Sequence, residues 1–356
     1  MAVPDKIAIL LPSLKFGGAE RVALNLAGAF KELGIQVDFL LMSYEGEFLA
    51  EAMNNFAVVD LQCQKTYQLP GRLLGYIAKN RPDVLISNFW KLHLCSSLVR
   101  VLFPFFKLLL WEHSPPSKSV NSPILLYALS SSILYQFATR VIVVSSGVYD
   151  DISHWTVGLH SLLTVIYNPI VPPDPYLVER VALCSPKHLT VVSVGRLDHP
   201  KNPGLLIEAF SLLPTDCQAV LIIVGDGVLR GALERRCQEL GISDRVTFLG
   251  YSSNPYQVIA ASDLLVVSSD REGLPSVIIE ALYCGLPIVS TDCGGGVHDI
   301  LLDGQYGTIV PVKDEKALAK AIENELKNRR LPQIQKVAAE RFLPSVIVKQ
   351  FLAVMG

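Results

Sequence analysis

The sequence predicts an α/β protein made of two domains, each a parallel sheet flanked by helices. Along the 356 residues, short runs of β-branched and aliphatic residues alternate with helical patterns, which is the arrangement typical of parallel α/β folds. Four prolines between positions 169 and 175 interrupt this alternation and indicate a linker, after which the alternation restarts. We therefore expect two Rossmann-like domains that face each other across a cleft, with the cleft as the ligand site.

The first half of the chain predicts six strands. They are Lys6–Leu11, Gln36–Leu41, Asp83–Ser87, Lys107–Glu112, Arg140–Ser145 and Leu163–Tyr167. A helix over Glu20–Leu33 connects the first two strands, and Gly34 ends it at the position where a left-handed residue is favoured. These elements predict an N-terminal domain over residues 1–168.

The second half repeats the pattern without repeating the sequence. Its predicted strands are Thr190–Val194, Ala219–Val224, Val246–Leu249, Leu264–Ser268, Pro287–Ser290 and Thr308–Val310. We expect a linker over residues 169–186 and a C-terminal domain over residues 187–335. The helical pattern of Pro332–Met355 predicts a last helix, over residues 336–356, that packs back toward the N-terminal domain.

Composition excludes several classes of protein. A net charge of −2 gives no reason to expect nucleic acid as a partner. The seven cysteines never occur as CxxC, which argues against a disulfide framework or a zinc site, and no Asp-x-Asp motif or histidine–carboxylate cluster indicates another metal. The N-terminus lacks the pattern of a signal peptide, and no apolar run is long enough to span a bilayer. We expect the protein in the cytoplasm or at the inner face of the cytoplasmic membrane, with no cofactor.

An apolar region over residues 101–137 allows two interpretations. It contains Val101–Trp111 and Pro123–Phe137, which are rich in leucine and phenylalanine. The first interpretation is a helix and a central strand buried in the N-terminal domain. The second is a surface that enters a membrane interface near a lipid-linked acceptor. Pro104 and Lys107 exclude a membrane span.

The most informative segment runs from Ser268 to Pro287. A buried strand ends at its start, and Pro275 is predicted as the first residue of the following helix. The free N–H groups of a helix N-terminus make Leu274, Pro275 and Ser276 a natural anion site. Glu272 precedes this helix and Glu280 lies on the same face as Ser276. Carboxylates beside an anion site suit the hydroxyls of a sugar and a ribose; alternatively, Glu272 interacts with the helix dipole and Glu280 is a solvated surface acid.

A second segment follows the strand Thr190–Val194. Gly195, Arg196 and Lys201 lie in the loop after this strand, where parallel sheets bind ligands. Asn202 and Pro203 are a favoured N-cap and first helical residue. Two cations in this loop suit a diphosphate leaving group, because they stabilise the charge that develops when its bond breaks. The alternative is two solvated loop cations.

Weaker signals occur at other predicted strand ends. These are Gly17 and Gly18 before the first helix, His113 after the strand Lys107–Glu112, Gly225 and Asp226 after Ala219–Val224, and the run Gly294–Gly296. Neither the turn at Gly17 and Gly18 nor the turn at Gly225 and Asp226 belongs to a GxGxxG fingerprint. Glycines allow close backbone approach to a ligand but also occur in plain turns, and a lone histidine is more often structural.

The motifs together resemble glycosyltransferase family 4. The resemblance rests on Glu272 and Glu280 in EGLPSVIIEAL, on GRLDHPKN and GDG upstream, on FGGAERV near the start, and on the EHS turn. It covers essentially the whole chain and implies the GT-B fold and retention of configuration at the sugar. The chain most resembles bacterial enzymes that extend glycans on undecaprenyl diphosphate, including N-acetylhexosamine transferases.

The resemblance implies a role for each matching residue of the second domain. Arg196 and Lys201 would hold the donor diphosphate. Glu272 would contact hydroxyls of the donor sugar, and Glu280 those of the ribose. The backbone from Gly273 through Ser276 would line the sugar and phosphate.

Further positions follow from the same resemblance. Gly17 and Gly18 would approach the donor from the first domain, which would bind the acceptor, and His113 would lie near the sugar. Tyr251 would bound the base, and the turns at Gly195, Gly225 and Asp226 would complete the donor site. The chain departs from the family at His298–Asp299, where a glutamate often follows the glycine turn, so no role is transferred there.

The implied reaction is metal-independent transfer of an N-acetylhexosamine or hexose from a nucleotide diphosphate sugar, with UDP favoured by the resemblance. The acceptor would be a glycan on a polyprenyl diphosphate lipid. No carboxylate is placed as a nucleophile, which favours same-face substitution through an oxocarbenium-like state. Two alternatives stay open: a nucleotide-sugar epimerase of the same fold, and a non-catalytic nucleotide-sugar-binding partner. An epimerase would need acid and base residues over the sugar ring.

Overall fold

The chain forms two compact α/β units. The computed structural model describes residues 3–118, 123–172, 188–214, 217–252, 254–328 and 332–356. Unit one comprises residues 1–171 and 342–356, and unit two comprises residues 172–341. Most of the predicted linker, residues 173–186, lies outside the described residues.

Unit one is built on a seven-stranded parallel sheet in the order β3-β2-β1-β4-β5-β6-β7. Its strands are β1 (Lys6–Leu11), β2 (Gln36–Leu41), β3 (Ala57–Asp60), β4 (Val84–Asn88), β5 (Lys107–Glu112), β6 (Arg140–Val143) and β7 (Leu163–Val165). Its helices before the linker are α1 (Gly18–Glu32), α2 (Leu49–Asn55), α3 (Leu69–Asn80), α4 (Trp90–Leu102), α5 (Ile124–Leu134) and α6 (Ser146–Trp155). The central strands are buried over most of their length, as expected for a parallel sheet covered on both faces.

Unit two is built on a six-stranded parallel sheet in the order β10-β9-β8-β11-β12-β13. Its strands are β8 (Leu189–Val194), β9 (Ala219–Val224), β10 (Val246–Gly250), β11 (Leu264–Val267), β12 (Ile288–Thr291) and β13 (Thr308–Val310). Its helices are α7 (Pro203–Ser211), α8 (Arg230–Glu239), α9 (Tyr256–Ala261), α10 (Ser276–Cys284), α11 (Gly296–Leu301), α12 (Glu315–Lys327) and α13 (Pro332–Ala339). In both sheets the strand order reverses beside the first strand of the unit, the arrangement that places ligand sites at carboxyl ends of strands.

All twelve predicted strands are present, and none of their ends differs from the prediction by more than two residues. The strand predicted to reach Ser145 stops at Val143, because the Ser145 side chain caps α6 by accepting a hydrogen bond from Val148 N at 3.3 Å. The first helix begins at Gly18 instead of Glu20, with Gly17 as an extended N-cap. The edge strand β3 was not predicted, since its four residues carry no long apolar run.

The predicted C-terminal helix is two helices. α13 packs against α10 in unit two, whereas α14 (Pro344–Met355) belongs to unit one and packs against α1. The break falls at Leu343, which is extended because a residue before proline disfavours the helical region. Phe351 of α14 contacts Trp111 and Phe30, with ring centroids 5.0 and 6.4 Å apart. The chain returns to unit one at Phe342 rather than at residue 336.

Candidate functional site

The loops after β8 and β11 border an open pocket in unit two. Gly195, Arg196 and Lys201 line it from the first loop, and Ser269 and Glu272 line it from the second. Both loops lie at carboxyl ends of adjacent parallel strands, which pair through Leu264 and Val191. Folding thus brings together four of the residues predicted for the diphosphate and sugar.

An ion pair between Lys201 and Glu272 lies in this pocket. Lys201 Nζ is 2.5 Å from Glu272 Oε1, and the hydroxyl of Ser269 donates to the same oxygen at 2.8 Å. The two side chains are 30% and 14% exposed. A partly desolvated pair of this kind interacts more strongly than a surface pair. The cation offsets the carboxylate charge at a site that is otherwise suited to an anion.

The Lys201 loop is fixed by hydrogen bonds to the loop after β11. The Asn202 side chain caps α7 by accepting from Leu205 N at 3.3 Å, as predicted, and donates to Asp270 Oδ1 at 2.9 Å. Asp270 N donates to the carbonyl of Pro200 at 2.9 Å. These contacts hold the two pocket loops in one arrangement, and Lys201 faces Glu272 as a result.

Arg196 is placed differently from Lys201. Its side chain is 75% exposed and forms an ion pair with Asp198, with Nη2 and Oδ2 3.1 Å apart. Asp198 also accepts from Lys201 N at 3.3 Å. An exposed pair contributes little to stability, so the Arg196 guanidinium is available to an incoming anion at low cost.

The start of α10 differs by one residue from the prediction. Pro275 is the N-cap, with φ −71° and ψ 91°, and the helix begins at Ser276; the prediction of Pro275 as the first helical residue is wrong because its ψ is extended. No side chain caps this end. Leu274, Pro275 and Ser276 therefore still lie at a helix N-terminus, which favours an anion.

The glycine run after β12 packs against the same turn. Gly296 N donates to the carbonyl of Gly273 at 3.1 Å. A Cβ at Gly296 would lie 2.7 Å from that oxygen and 2.6 Å from Leu274 Cδ1, so only glycine fits there. The run thus supports the loop that carries Glu272, whose N–H donates to the carbonyl of Cys293 at 3.0 Å.

Glu280 lies one turn along α10 from Ser276. It is half-buried and does not line the pocket. Burial is the largest cause that raises the pKa of Tyr256 and of Cys284, and the negative charge of Glu280 is the second largest. Glu280 therefore lies close to both side chains. The structure thus places Glu280 toward α9, and not beside the Lys201–Glu272 pair.

Gly225 and Asp226 support the β8 loop. Gly225 has φ +134°, and a Cβ there would overlap the carbonyl oxygen of Gly195. The Asp226 carbonyl accepts from Leu197 N at 2.9 Å, and its side chain forms an ion pair with Arg230 at 3.4 Å. Tyr251 follows β10 and is exposed. Gly225 and Asp226 therefore shape the loop that carries Arg196.

In unit one, Gly17 and Gly18 begin α1. A Cβ at Gly17 would overlap the carboxylate of Glu20, which folds back over it, whereas the space at Gly18 is open. Burial raises the pKa of Glu20. The backbone at Gly18 is therefore the approachable part of this turn.

His113 follows β5 and is half-buried between two aromatic rings. Its centroid is 4.7 Å from that of Trp111 and 6.0 Å from that of Phe89. Asn88 donates its amide to the carbonyl of Leu10 at 3.0 Å, so its Oδ1 accepts from His113 Nε2–H at 2.8 Å. The other nitrogen, Nδ1, is buried without a hydrogen-bond partner in the described part of the chain. Burial, with a contribution from His93, lowers the pKa of His113 to about 3 although Glu112 opposes this.

A buried polar cluster beside His113 was not predicted. Glu112 accepts from Tyr135 Oη at 2.6 Å and from Tyr127 Oη at 3.0 Å, and His93 Nδ1 lies 3.4 Å away. Burial acts to raise the pKa of Glu112, but the charge of His93 and these hydrogen bonds outweigh it and the pKa is lowered. The cluster fixes the end of β5 and hence the position of His113.

His298 occupies the position at which the chain departs from the family. Its Nδ1 is 2.8 Å from Asp303 Oδ1 and its Nε2 is 3.1 Å from Asp292 Oδ1. The hydrogen bond with Asp303, together with Asp292, raises the pKa of His298. Two carboxylates thus hold an imidazole at the end of the glycine turn.

The described residues contain neither a candidate metal-binding cluster nor a candidate membrane-spanning helix. Within the described ranges, no group of three or more histidine, cysteine, aspartate or glutamate side chains is arranged to hold a metal ion. Among the described helices, none is both long and apolar enough to cross a bilayer.

Two family models match consecutive parts of the chain. Residues 16–172 match Glycosyltransferase Family 4, and residues 180–342 match Glycosyl transferases group 1. The chain is 28% identical to the N-acetylgalactosamine-N,N'-diacetylbacillosaminyl-diphospho-undecaprenol 4-alpha-N-acetylgalactosaminyltransferase of Campylobacter jejuni, over 94% of both chains. It is 27% identical to the lipopolysaccharide core biosynthesis glycosyltransferase LpsE of Rhizobium meliloti, over 96% of both.

Solved structures agree with the fold. The Anabaena protein HepE, crystallised with UDP, superposes with a TM-score of 0.84 at 23% identity, over 97% of this chain and 98% of that one. The two parallel sheets and their helices are those of the GT-B fold, which confirms the predicted pair of Rossmann-like domains. The chain belongs to the glycosyltransferases of the GT-B fold, with a family 4 domain followed by a group 1 domain.

Proposed function

We propose that the protein is a retaining glycosyltransferase that moves an N-acetylhexosamine or hexose from a UDP-sugar to a lipid-linked glycan. The Lys201–Glu272 pair carries this proposal, because it joins a cation and a carboxylate in a pocket at the carboxyl ends of parallel strands. Lys201 and Arg196 would hold the diphosphate, whose charge increases as the sugar leaves. Glu272 would accept hydroxyls of the sugar, since an ionised carboxylate is an acceptor only.

The remaining residues would orient the donor. The N–H groups at Ser276 and Val277 begin α10 and suit a phosphate oxygen. Glu280 would bind the ribose, with Tyr251 beside the base. In unit one, Gly18 would approach the donor by its backbone. His113 is neutral at physiological pH, so its bare Nδ1 would accept a hydroxyl and would not act as a general acid.

The step would be a same-face substitution. The bond between the anomeric carbon and the β-phosphate oxygen breaks, the acceptor oxygen bonds to the same face of that carbon, and the departing phosphate oxygen takes the acceptor proton. Arg196 and Lys201 would supply the positive charge without a metal ion. The name of the Campylobacter jejuni relative, which specifies a diphospho-undecaprenol substrate, supports a polyprenyl diphosphate lipid as the carrier of the acceptor. Such a carrier would place the enzyme at the inner face of the cytoplasmic membrane.

The test is transfer from UDP-N-acetylgalactosamine, UDP-N-acetylglucosamine and UDP-glucose to a short glycan on a polyprenyl diphosphate, followed by NMR of the new linkage. An axial anomeric product from one of these donors supports the proposal. Incubation of each donor alone is the control, since an epimerase converts the donor without an acceptor. Conversion of the donor alone, or donor binding with no transfer to any acceptor, contradicts the proposal.

A further inference from the structure

Asn88 is a fully buried polar residue at the carboxyl end of β4. Its side chain lies between two partners, the Leu10 carbonyl on the neighbouring strand β1 and the His113 ring after β5. A backbone carbonyl only accepts hydrogen bonds, so the amide nitrogen of Asn88 has to face Leu10 and its oxygen has to face His113. The backbone of β1 therefore decides which atom of Asn88 the histidine contacts.

This arrangement fixes the tautomer of His113. Because the amide oxygen of Asn88 can only accept, the proton of the neutral ring lies on Nε2 and the lone pair lies on Nδ1. Within the ranges that the structure describes, Nδ1 is buried and has no hydrogen-bond partner. A buried acceptor without a partner costs free energy, and in a folded protein such an atom needs an explanation, for example a binding or catalytic role. Asn88 thus leaves His113 with an unpaired acceptor at a defined atom.

The residue after Asn88 has a strained backbone. Phe89 has φ +68° and ψ 136°, a region that bulky residues rarely occupy. It ends β4 sharply and is the N-cap of α4, where its carbonyl accepts from Leu92 N and His93 N at 3.0 Å each. Its ring also packs beside that of His113. Strained residues persist only where surrounding contacts hold them, and they occur preferentially at functional sites.

The sheet holds the same strand end from its other side. Asn88 is the register partner of Trp111 in the pairing of β4 with β5, and the Trp111 ring packs against that of His113. His93 Nε2–H donates to the carbonyl of Ser87 at 3.0 Å, one residue before Asn88. The distance between Asn88 and His113 is therefore set by paired strands and not by a flexible loop.

We propose that Asn88 is a positioning residue that holds His113 in the Nε2–H tautomer, so that Nδ1 accepts a hydrogen bond from a hydroxyl of the substrate. The part that concerns the substrate rests on the proposed function, whereas the tautomer does not. Without Asn88 the proton can lie on Nδ1. That form would donate to the hydroxyl instead of accepting from it, so the hydroxyl could no longer direct its proton to the ring.

NMR of the histidine ring nitrogens tests the tautomer without any substrate. A bare ring nitrogen resonates far downfield of an N–H nitrogen, so the spectrum of protein isotopically labelled at histidine reports which nitrogen carries the proton. The chain contains seven histidines, and the spectrum of His113→Leu identifies the signals of His113. The variant is Asn88→Leu, which has a similar volume and no acceptor. The control is Tyr76→Phe, which removes a buried hydrogen bond to Asp38 elsewhere in unit one.

We expect His113 to carry its proton on Nε2 in the wild type and in Tyr76→Phe, and to populate the Nδ1–H form in Asn88→Leu. Asn88→Asp keeps an acceptor beside the ring, so it should keep Nε2 protonated. Melting temperatures report whether each variant folds, and the wild-type and Asn88→Asp spectra decide the question if Asn88→Leu does not. A bare Nε2 in the wild type, or an unchanged His113 spectrum in folded Asn88→Leu, overturns the proposal.

Kinetics test whether Asn88 acts through His113. Asn88→Leu should lower kcat/KM of the transfer reaction about tenfold, since one oriented hydrogen bond to the substrate is lost. In the His113→Leu background the same change should cost less than about twofold, because the group that Asn88 positions is already absent. A purely structural Asn88 would lower kcat/KM equally in both backgrounds, and that result overturns the proposal. A wild type that transfers no sugar contradicts the proposed function, whereas the NMR spectra still decide the role of Asn88.

Discussion

Replacement of Lys201 by alanine tests the electrostatics of the pocket most sharply. Two unit charges about 4 Å apart contribute about 4 kcal/mol at an effective dielectric constant near 20. Because the Lys201 side chain is 30% exposed, we take about half of this, about 2 kcal/mol, for its attraction to the donor diphosphate. The variant also leaves Glu272 uncompensated beside that diphosphate, which adds a repulsion of about the same size. Together they predict a loss of roughly a thousandfold in kcat/KM.

The double variant separates the two contributions. Glu272→Gln alone should cost tenfold or more, since it removes the carboxylate that accepts sugar hydroxyls. In the Lys201→Ala background the same change should be neutral or favourable, because it also removes the repulsion. Measured kcat/KM values for the four proteins give the coupling directly. Arg236→Ala, which breaks an exposed ion pair with Glu208 elsewhere in unit two, is the control and should stay within about twofold of the wild type. An equal cost of Glu272→Gln in both backgrounds would refute this reasoning.

Four further predictions use the same assay or simple denaturation. Arg196→Ala should lower kcat/KM about tenfold to a thousandfold, and wild-type turnover in Arg196→Ala, Lys201→Ala and Glu272→Ala alike would defeat the site assignment. Gly18→Ala and Gly28→Ala both have room for a methyl group on α1, so both should fold, yet only Gly18→Ala should weaken donor binding in a titration; equal donor affinity would remove Gly18 from the site. Because the pKa of His113 is about 3, the unfolded state binds more protons than the native state between about pH 6.5 and pH 3. The free energy of unfolding of the wild type, measured in urea, should therefore fall as the pH is lowered through that range, and the fall should be shallower in His113→Gln. Identical slopes in the two proteins would contradict the lowered pKa. EDTA should leave transfer intact, and strict dependence on added manganese would contradict metal-independent catalysis.

The fold followed from the sequence because most strands are continuous apolar runs. Strands such as β1 and β9 contain little besides aliphatic residues, and this apolar run alone locates them. The strand β3 was not predicted, because Ala57–Asp60 lies at a sheet edge and is only half-buried. The C-terminal helix was predicted as one element because its periodicity continues across Leu343, although Pro344 restricts the conformation of that residue.

Only those parts of the site were predictable that share one loop or lie at the ends of parallel strands. Gly195, Arg196 and Lys201 share one loop, and the ends of parallel strands place that loop beside Glu272. The bonds that fix the loop were not predictable, since Asn202 and Asp270 are 68 residues apart. The cluster of Glu112, Tyr127 and Tyr135 was not predicted, because its members are also far apart along the chain.

Titration calorimetry of nucleotides tests the central claim most directly, namely that the pocket of unit two binds the diphosphate of the donor. UDP, GDP and ADP are titrated into the wild type and Lys201→Ala, each beside its nucleoside and nucleoside monophosphate. The account predicts that one diphosphate binds the wild type at least about tenfold more tightly than its nucleoside, and that Lys201→Ala removes most of this difference. A nucleoside that binds as tightly as its diphosphate, or a diphosphate whose affinity is unchanged by Lys201→Ala, would contradict it.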